Sequence, residues 1–266
     1  SEFIDNSKSD KTVKIDSKKE KIHDIVNINM NKIWESYLSI AKKTETDGKG
    51  NDHAELSTFT NVVDEFSKQI PPNKYPKVLD FGCGDGGETK ALSNKGYEVT
   101  GITLGIDNIT YAKENYKIDL IEMDMNILDF KQCSFDAIYS SHSFEHIFSP
   151  FITCIEMWRV LKDGGRCYIC VPNSDDKNSY DGLWHYNLLY NNQIINMFEM
   201  CGFKSIEKNS LIFEKLQPQE ISKWDYLKHI HNARNKINTE IIIKQFNTYK
   251  LTIPEIIIPE QLTINI

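Results

Sequence analysis

Hydrophobic and polar positions change their spacing part-way along the chain. Before the first proline pair, apolar residues recur three or four positions apart, which predicts amphipathic helices over Ile22–Ala41 and Ala54–Ile70. From Lys77 onward, short apolar runs alternate with helix-like segments and turn residues. This alternation is typical of a parallel sheet whose strands are joined by crossover helices.

The segments after the change predict an α/β fold. Strands are expected over Lys77–Phe81, Glu98–Thr103, Asp119–Met123, Phe135–Ser140, Arg166–Val171 and Phe203–Lys208. Helices are expected over Asn108–Tyr116, Phe151–Leu161 and Asn191–Cys201. The seventh strand has two candidates, Leu211–Leu216 and Thr239–Phe246, with a helical segment, Gln219–Asn235, between them. We therefore expect a Rossmann-like, seven-stranded, mostly parallel sheet sandwiched by helices, with an N-terminal helical cap and a C-terminal extension.

The predicted domain organisation follows the same pattern. Residues 1–20 are polar and rich in lysine, which predicts a disordered tail. Residues 21–72 would form the helical cap, or an extra packing layer, in front of a sheet domain at residues 73–250. Residues 251–266 would form a C-terminal tail that wraps the domain or pairs with a partner, and a homodimer is left open.

The composition limits the classes of function. With 266 residues, 40% of them hydrophobic and 26% charged, the chain has ample apolar material for a large core. A net charge of −7 provides no overall basic surface, so nucleic acid is not an expected partner. No apolar run approaches the roughly 18 residues of a membrane span, so we expect no stable membrane insertion and a cytoplasmic protein.

Cysteine and histidine spacing does not indicate a metal site. Cys167 and Cys170 lie three positions apart in a predicted strand, where their side chains point to opposite faces. The six cysteines are expected to be reduced core thiols. A ligand spacing such as HExxH is missing, and we predict no metal.

A glycine-rich turn follows the first predicted strand, in the stretch Val78-Leu79-Asp80-Phe81-Gly82-Cys83-Gly84-Asp85-Gly86-Gly87. Glycines there let the backbone adopt positive φ and approach a ligand closely. A helix that starts near Glu88 would direct its first N–H groups into the same crevice. The turn lacks the Gly-Lys-Ser/Thr ending of a triphosphate-binding loop, and the carboxylate of Asp80 suits a cationic ligand group instead.

Later stretches complete this pattern, and together they resemble the class I S-adenosylmethionine-dependent methyltransferases over about residues 77–208. The stretches are Val99-Thr100-Gly101-Ile102-Thr103-Leu104, Glu122-Met123-Asp124-Met125, Phe135-Asp136-Ala137-Ile138-Tyr139-Ser140 and Val160-Leu161-Lys162-Asp163-Gly164-Gly165. The Gly-Ile-Thr-Leu form also resembles a subset that includes cyclopropane-fatty-acid synthases and sterol and tocopherol methyltransferases. The resemblance implies S-adenosyl-L-methionine as cofactor and S-adenosyl-L-homocysteine as product.

The resemblance also implies where the cofactor binds. Asp80 and the backbone of Gly82–Gly84 would surround the methionine part, Asp124 would bind the adenine amino group, and Met125 would lie beside the ring. Thr103 stands where most members carry an acid for the ribose hydroxyls, so the ribose would be held without charge assistance. The predicted cofactor-binding set is Asp80, Phe81, Gly82, Cys83, Gly84, Thr103, Leu104, Asp124, Met125 and Ser140.

Two further clusters are candidates for catalysis and acceptor binding. In the segment Ser140–His146, His142 is a candidate general base, because an imidazole titrates near neutrality. Glu145 and His146 have either a direct catalytic role or a role in stabilising the loop. After the fifth strand, His185 is a third candidate base, and Trp184 and Tyr186 are the predicted acceptor wall.

Three functions fit these residues. The first is methyl transfer to an oxygen or nitrogen atom of a small polar molecule, such as a sugar, a nucleotide-linked sugar or a natural-product intermediate. The second is a lipid or C-methyltransferase of the cyclopropane-synthase type. The third belongs to another class: a non-catalytic cofactor-binding module used for protein interaction.

Overall fold

The computed structural model of the chain describes residues 60–172, 185, 187–207 and 211–221, together with Lys32 and Lys228. Apart from Lys32, which is helical, the predicted helix Ile22–Ala41 lies outside these ranges. The strand candidate Thr239–Phe246, both predicted tails and most of Gln219–Asn235 lie outside them as well. The proposed domain boundaries therefore stay predictions.

Strands and helices alternate through the described residues. The strands are β1 (Lys77–Phe81), β2 (Glu98–Thr103), β3 (Ile121–Glu122), β4 (Phe135–Ser141), β5 (Leu161–Cys170), β6 (Phe203–Ser205) and β7 (Ile212–Lys215). The helices are α1 (Thr60–Gln69), α2 (Gly87–Asn94), α3 (Ile106–Tyr111), α4 (Pro150–Val160) and α5 (Asn191–Met200). A π-helical turn, Ala112–Tyr116, continues α3, and 3₁₀ turns occupy Phe144–His146 and Pro218–Glu220.

The strands form one seven-stranded sheet in the order β3-β2-β1-β4-β5-β7-β6. Strands β1 to β5 pair in parallel, and β7 runs antiparallel to both β5 and β6. Strand β1 is buried along almost its whole length because elements cover both faces of the sheet, which explains why most of its residues are apolar. The predicted Rossmann-like, seven-stranded, mostly parallel sheet is confirmed.

Several element boundaries differ from the prediction. The seventh strand is Ile212–Lys215, inside the candidate Leu211–Leu216. Strand β3 has only two residues, both exposed, because this edge strand pairs with β2 alone. Strand β5 already begins at Leu161, so the predicted turn at residues 162–165 is an irregularity within the strand, where the register with β4 shifts.

Aromatic packing joins α1 to one face of the sheet. Phe66 on α1 is fully buried and contacts Tyr139 and Tyr168 edge-on, with ring centroids 5.1 and 5.8 Å apart. On the other face, Phe198 of α5 stacks on Phe213 of β7 at 4.1 Å. The described part of the predicted cap therefore acts as a packing layer, and the sheet is fixed from both sides.

The cysteines are free thiols, as expected, but their burial varies. Cys83, Cys154, Cys167 and Cys201 are buried, whereas Cys133 is exposed. The prediction of a core thiol is wrong for Cys133, because this residue lies in a turn with a φ of 56° before β4. Among the described helices, none is long and apolar enough to cross a membrane.

Candidate functional site

The glycine-rich turn after β1 adopts the left-handed conformations that its sequence predicts. Gly82, Gly84 and Gly86 have φ angles of 78°, 52° and 84°. A Cβ atom on Gly82 would lie 2.5 Å from the Cβ of Ser143 and 2.7 Å from the Sδ of Met125. A side chain at Gly82 would therefore collide with the residues that follow β3 and β4, so three strand ends meet at this turn.

Asp80 is a buried carboxylate at the centre of this edge, with 1% of its surface exposed. The Thr89 hydroxyl on α2 donates to Asp80 Oδ2 at 2.6 Å. Burial, and the charge of Glu88 in second place, raise the pKa of Asp80 to about 8, although the Thr89 hydrogen bond opposes the shift. A cation that enters the crevice would favour the ionised form, which makes Asp80 a suitable partner for an ammonium group.

Asp124 follows β3 and is held by its neighbour Asn126. The backbone N–H and the side-chain amide of Asn126 donate to Asp124 Oδ1 at 2.9 and 2.8 Å. The other oxygen, Oδ2, is buried and has no hydrogen-bond partner among the described residues. Burial raises the pKa of Asp124, although its hydrogen bonds with Asn126 oppose the shift. An orphaned acceptor oxygen of this kind fits the amino group of an adenine ring.

The structure places the other predicted cofactor residues at the same edge of the sheet, where their side chains have different neighbours. Thr103 and Leu104 are buried at the end of β2, and Met125 lies against the glycine turn. Cys83 packs with Ala112 and Leu120 in a small apolar cluster. The Phe81 side chain belongs to the hydrophobic core, and its carbonyl accepts a hydrogen bond from the Ser143 hydroxyl at 2.6 Å.

The loop after β4 is tied to the glycine turn by two serines. The Ser140 and Ser143 hydroxyl oxygens lie 2.8 Å apart, and both side chains are buried. The Ser141 hydroxyl donates to Glu88 Oε1 at 3.1 Å, which connects the loop with α2. The predicted Ser140 therefore supports the loop through Ser143.

His142 is held in an unusual backbone conformation. Its backbone φ angle is 48°, a value that residues other than glycine rarely adopt. The His142 N–H donates to the Cys170 carbonyl at 2.9 Å, and its Nε2 lies 4.0 Å from Cys170 Sγ. Contacts with Cys170 and Glu145 raise the pKa of His142 to about 10, although partial burial opposes the shift. Strain at one exposed residue beside a ligand crevice is typical of functional sites.

Glu145, His146 and His185 converge beside this loop. Glu145 is 1% exposed, and its Oε1 lies 3.9 Å from His146 Nε2. The ring centroids of His146 and His185 are 5.1 Å apart. The structure thus brings all four predicted catalytic residues to one edge of the sheet. The predicted acceptor wall, Trp184 and Tyr186, lies outside the described residues.

Sequence reasoning missed four residues that shape the site: Glu88, Thr89, Asn126 and Ser143. Thr89 and Ser143 support the predicted residues Asp80 and Phe81 from other elements, and Asn126 supports Asp124 from two positions further along the chain. Glu88 accepts a hydrogen bond from Ser141 at the end of β4. The Asp124-x-Asn126 spacing was a readable signal, because a side chain two positions on can bond an aspartate locally. The Thr89 and Ser143 contacts had no such signal.

Comparisons with known proteins agree with this geometry. Residues 79–169 match the family described as Methyltransferase domain. The chain is 30% identical to the 2-methyl-6-phytyl-1,4-hydroquinone methyltransferase of Synechocystis sp., over 52% of this chain and 44% of that protein. It is 25% identical to a ubiquinone biosynthesis O-methyltransferase of Idiomarina loihiensis, over 56% and 70%. It is 24% identical to a sterol 24-C-methyltransferase of Saccharomyces cerevisiae, over 67% and 53%. The matched segment thus spans about half of the first and third relatives.

Solved structures show the same fold. A candidate methyltransferase from Bacillus halodurans superimposes with a TM-score of 0.50 at 18% identity, over 55% of this chain and 71% of that one. A candidate sarcosine dimethylglycine methyltransferase from Galdieria sulphuraria also gives 0.50 at 18% identity, over 74% and 79%. The crevice lies at the carboxyl ends of parallel strands, where open α/β sheets bind their ligands. Residues 79–169 thus resemble a methyltransferase domain, and the sheet has the fold of methyltransferases.

Proposed function

We propose that this protein transfers the methyl group of S-adenosyl-L-methionine to an oxygen or nitrogen atom of a small polar molecule. The observation that carries the proposal is the pair of buried carboxylates, Asp80 and Asp124, around the glycine turn, together with the polar cluster beside it. Asp80 is buried without a cationic partner among the described residues, and Asp124 Oδ2 has no donor there. A cofactor with an ammonium at one end and an amine-bearing ring at the other satisfies both.

The cofactor, when bound, supplies an electrophilic methyl group on a sulfonium. Asp80 would hold the ammonium, and the turn at Gly82–Gly84 would let the backbone approach the methionine part closely. Asp124 would accept from the adenine amino group, with Met125 against the ring. Thr103, at the end of β2, would hydrogen-bond the ribose.

The polar cluster supports an oxygen or nitrogen acceptor. Such an acceptor loses a proton as it is methylated, and a positioned imidazole can accept that proton. Among the described residues, the imidazoles at this edge of the sheet are those of His142, His146 and His185, and Glu145 contacts the first two. The fold otherwise acts by holding acceptor and donor in line, which is the larger part of catalysis in a direct displacement.

A lipid-type C-methyltransferase is the second candidate, and one observation favours it. The chain matches a sterol methyltransferase over 209 residues and carries the Gly101–Leu104 sequence at the end of β2. A sterol or lipid acceptor carbon would call for an apolar pocket. Phe148 and Ile152 are exposed apolar residues a few positions after the loop that follows β4, and they could contribute to one.

The test is to incubate the purified protein with methyl-labelled cofactor and two sets of acceptors. One set holds soluble hydroxylated and amine compounds from a fractionated extract, and the other holds sterol-containing phospholipid vesicles. We expect label in a soluble product whose mass rises by one methyl group. Label confined to the lipid fraction would replace the proposal with the second candidate. Cofactor binding without transfer to any fraction would instead support a non-catalytic module.

Individual substitutions test the role of the cluster. His142→Ala, His146→Ala and His185→Ala are compared at saturating cofactor. We expect at least one of them to lower turnover by roughly 100-fold, the usual contribution of a general base. Normal turnover in all three variants would contradict proton removal by this cluster.

A further inference from the structure

A carboxylate and two imidazoles form a compact group at the edge of the catalytic loop. Glu145, His146 and His185 each offer one ligand atom, and these atoms all lie within 4.8 Å of one another. Ligand atoms around one ion, each about 2.1 Å from it, are separated by at most about 4.2 Å. The observed separations are therefore close to those of a metal site.

Glu145 supplies an independent observation that points to a ligand. Its side chain is almost fully buried, yet Oε2 has no hydrogen-bond partner among the described residues. The other oxygen lies 3.7 Å from His142 Nδ1 and 3.9 Å from His146 Nε2, both longer than a hydrogen bond. Buried carboxylates are normally paired or coordinate a metal, and Oε2 of Glu145 lacks such a partner among the described residues.

The backbone fixes the group although its members are far apart in sequence. Glu145 and His146 lie in a 3₁₀ turn, in which the His146 N–H donates to the Ser143 carbonyl at 3.1 Å. The Asn187 N–H donates to the Glu145 carbonyl at 3.0 Å, and its side-chain amide donates to the Ile147 carbonyl. The segment next to His185 is thereby tied to the turn that carries the other two ligands.

We propose that Glu145, His146 and His185 bind a divalent first-row transition metal ion. Two imidazoles and one carboxylate form the donor set that Zn²⁺ and Fe²⁺ accept, whereas Mg²⁺ prefers oxygen ligands. Three protein ligands leave coordination positions open for water or for an acceptor oxygen. Metal binding at this group does not depend on the proposed methyl transfer. His146 and His185 would then act as ligands and not as general bases.

Calorimetric titration of the full-length chain with Zn²⁺ tests the proposal after treatment with a chelator. All proteins carry Cys133→Ser, because that exposed thiol could bind zinc by itself. We expect one strong site per chain for Zn²⁺, and much weaker binding of Mg²⁺. His146→Ala, His185→Ala and Glu145→Gln should each weaken Zn²⁺ binding at least about tenfold, since even supporting residues of metal sites contribute that much.

The matched control is His229→Ala, which removes a histidine from another part of the sequence and should leave Zn²⁺ affinity unchanged. Affinity for S-adenosyl-L-methionine and the far-ultraviolet circular dichroism of each variant are measured in parallel. A variant that loses Zn²⁺ but keeps cofactor affinity and its spectrum supports the site. Equal Zn²⁺ affinity in all the variants, or no Zn²⁺ binding by the parent protein, would overturn it. Either result leaves the proposed methyl transfer to its own assay.

Discussion

At the scale of single residues, Asp80 connects the stability of the fold with ligand binding. Its pKa is raised from 3.8 to about 8, so the folded protein keeps a proton that the unfolded chain releases above about pH 4. The stabilisation from this proton is complete below pH 3.8 and is lost as the pH rises through about 8. The ionised form that a cationic ligand needs is therefore the form that destabilises the empty fold.

Asp80→Asn tests this relationship because it removes the titration but keeps the shape of the side chain. Between about pH 5 and 8, the free energy of unfolding of the variant should increase relative to the parent by about 1.4 kcal/mol per pH unit. Urea unfolding at several pH values measures the difference. Asp107→Asn, which changes an exposed acid, is the control. If the free energies of unfolding of Asp80→Asn and of the parent change in parallel with pH, the pKa of Asp80 is not raised in the folded protein.

Gly82 and Gly84 form a second residue-scale comparison. Both have positive φ, but a Cβ on Gly82 would meet Ser143 and Met125, whereas one on Gly84 meets no described atom within 4 Å. Gly82→Ala should therefore unfold at lower urea than Gly84→Ala, with an additional loss of about 1–3 kcal/mol from displaced packing. Equal losses of stability in the two variants would mean that backbone strain alone accounts for the loss in each of them.

The sequence identified the residues of the site more readily than their supports. Asp80 and Asp124 were predictable because the stretches that carry them, at the end of β1 and just after β3, match motifs of the family that the sequence resembles. Thr89 and Ser143 were not, because their hydrogen bonds to Asp80 and Phe81 depend on how α2 and the loop after β4 pack. A contact across elements leaves no spacing in the sequence.

At the scale of elements, a buried ion pair attaches α4 to the chain between β3 and β4. Arg159 donates from Nε and Nη2 to the two carboxylate oxygens of Glu156, at 2.9 and 2.8 Å. Nη2 also donates to the Leu128 carbonyl at 2.7 Å, and the Leu128 N–H donates to Glu156 Oε2 at 3.0 Å. Residues between β3 and β4 that are not in a helix or strand are thus held in place by this ion pair. They directly follow the turn that carries Asp124.

Glu156→Gln should destabilise the protein strongly, because it leaves the buried guanidinium of Arg159 without its counter-charge. We expect a loss of about 3–5 kcal/mol in the free energy of unfolding, measured by urea denaturation. Glu65→Gln breaks an exposed ion pair with Lys68, whose side chains are 48% and 71% exposed. That control should change stability by less than about 1 kcal/mol. Similar effects of the two substitutions would show that burial adds nothing to the first pair.

Element positions were predictable where burial imposes a clear pattern. The predicted bounds of β1 and β2 agree with the structure, because both strands are central and their apolar runs end at turn residues. Strand β3 was predicted too long, since an exposed two-residue edge strand has little packing to record in its sequence. In the sequence, the apolar run at Thr239–Phe246 looked as much like a strand as Leu211–Leu216. The pairing of β7 with β5 shows that the second candidate contains a strand of the sheet.

At the scale of the whole molecule, the order of the strands brings residues from separate parts of the chain together at the crevice. Strands β3, β2, β1 and β4 are neighbours, and the predicted cofactor residues lie at the carboxyl ends of all four. A bound cofactor would contact Asp80, Thr103 and Asp124 at once. Its binding should therefore stabilise the sheet as a unit against unfolding.

The last prediction follows from this linkage and from the proposed function. At a cofactor concentration 100 times its dissociation constant, the free energy of unfolding should rise by about 2.7 kcal/mol. For a chain of this size, that corresponds to a rise of about 5–10 °C in the unfolding temperature. Because the ammonium binds the ionised form of Asp80, the affinity should increase between pH 6 and 8 and then level off, with up to one proton released on binding. Calorimetry in two buffers of different ionisation enthalpy measures that proton.

Asp80→Asn should lose both the affinity and the proton release, whereas Asp107→Asn keeps them. Strong binding without proton release at pH 7 would show that the carboxyl is already ionised before the cofactor arrives, and would remove Asp80 from the role of a pH-sensitive partner.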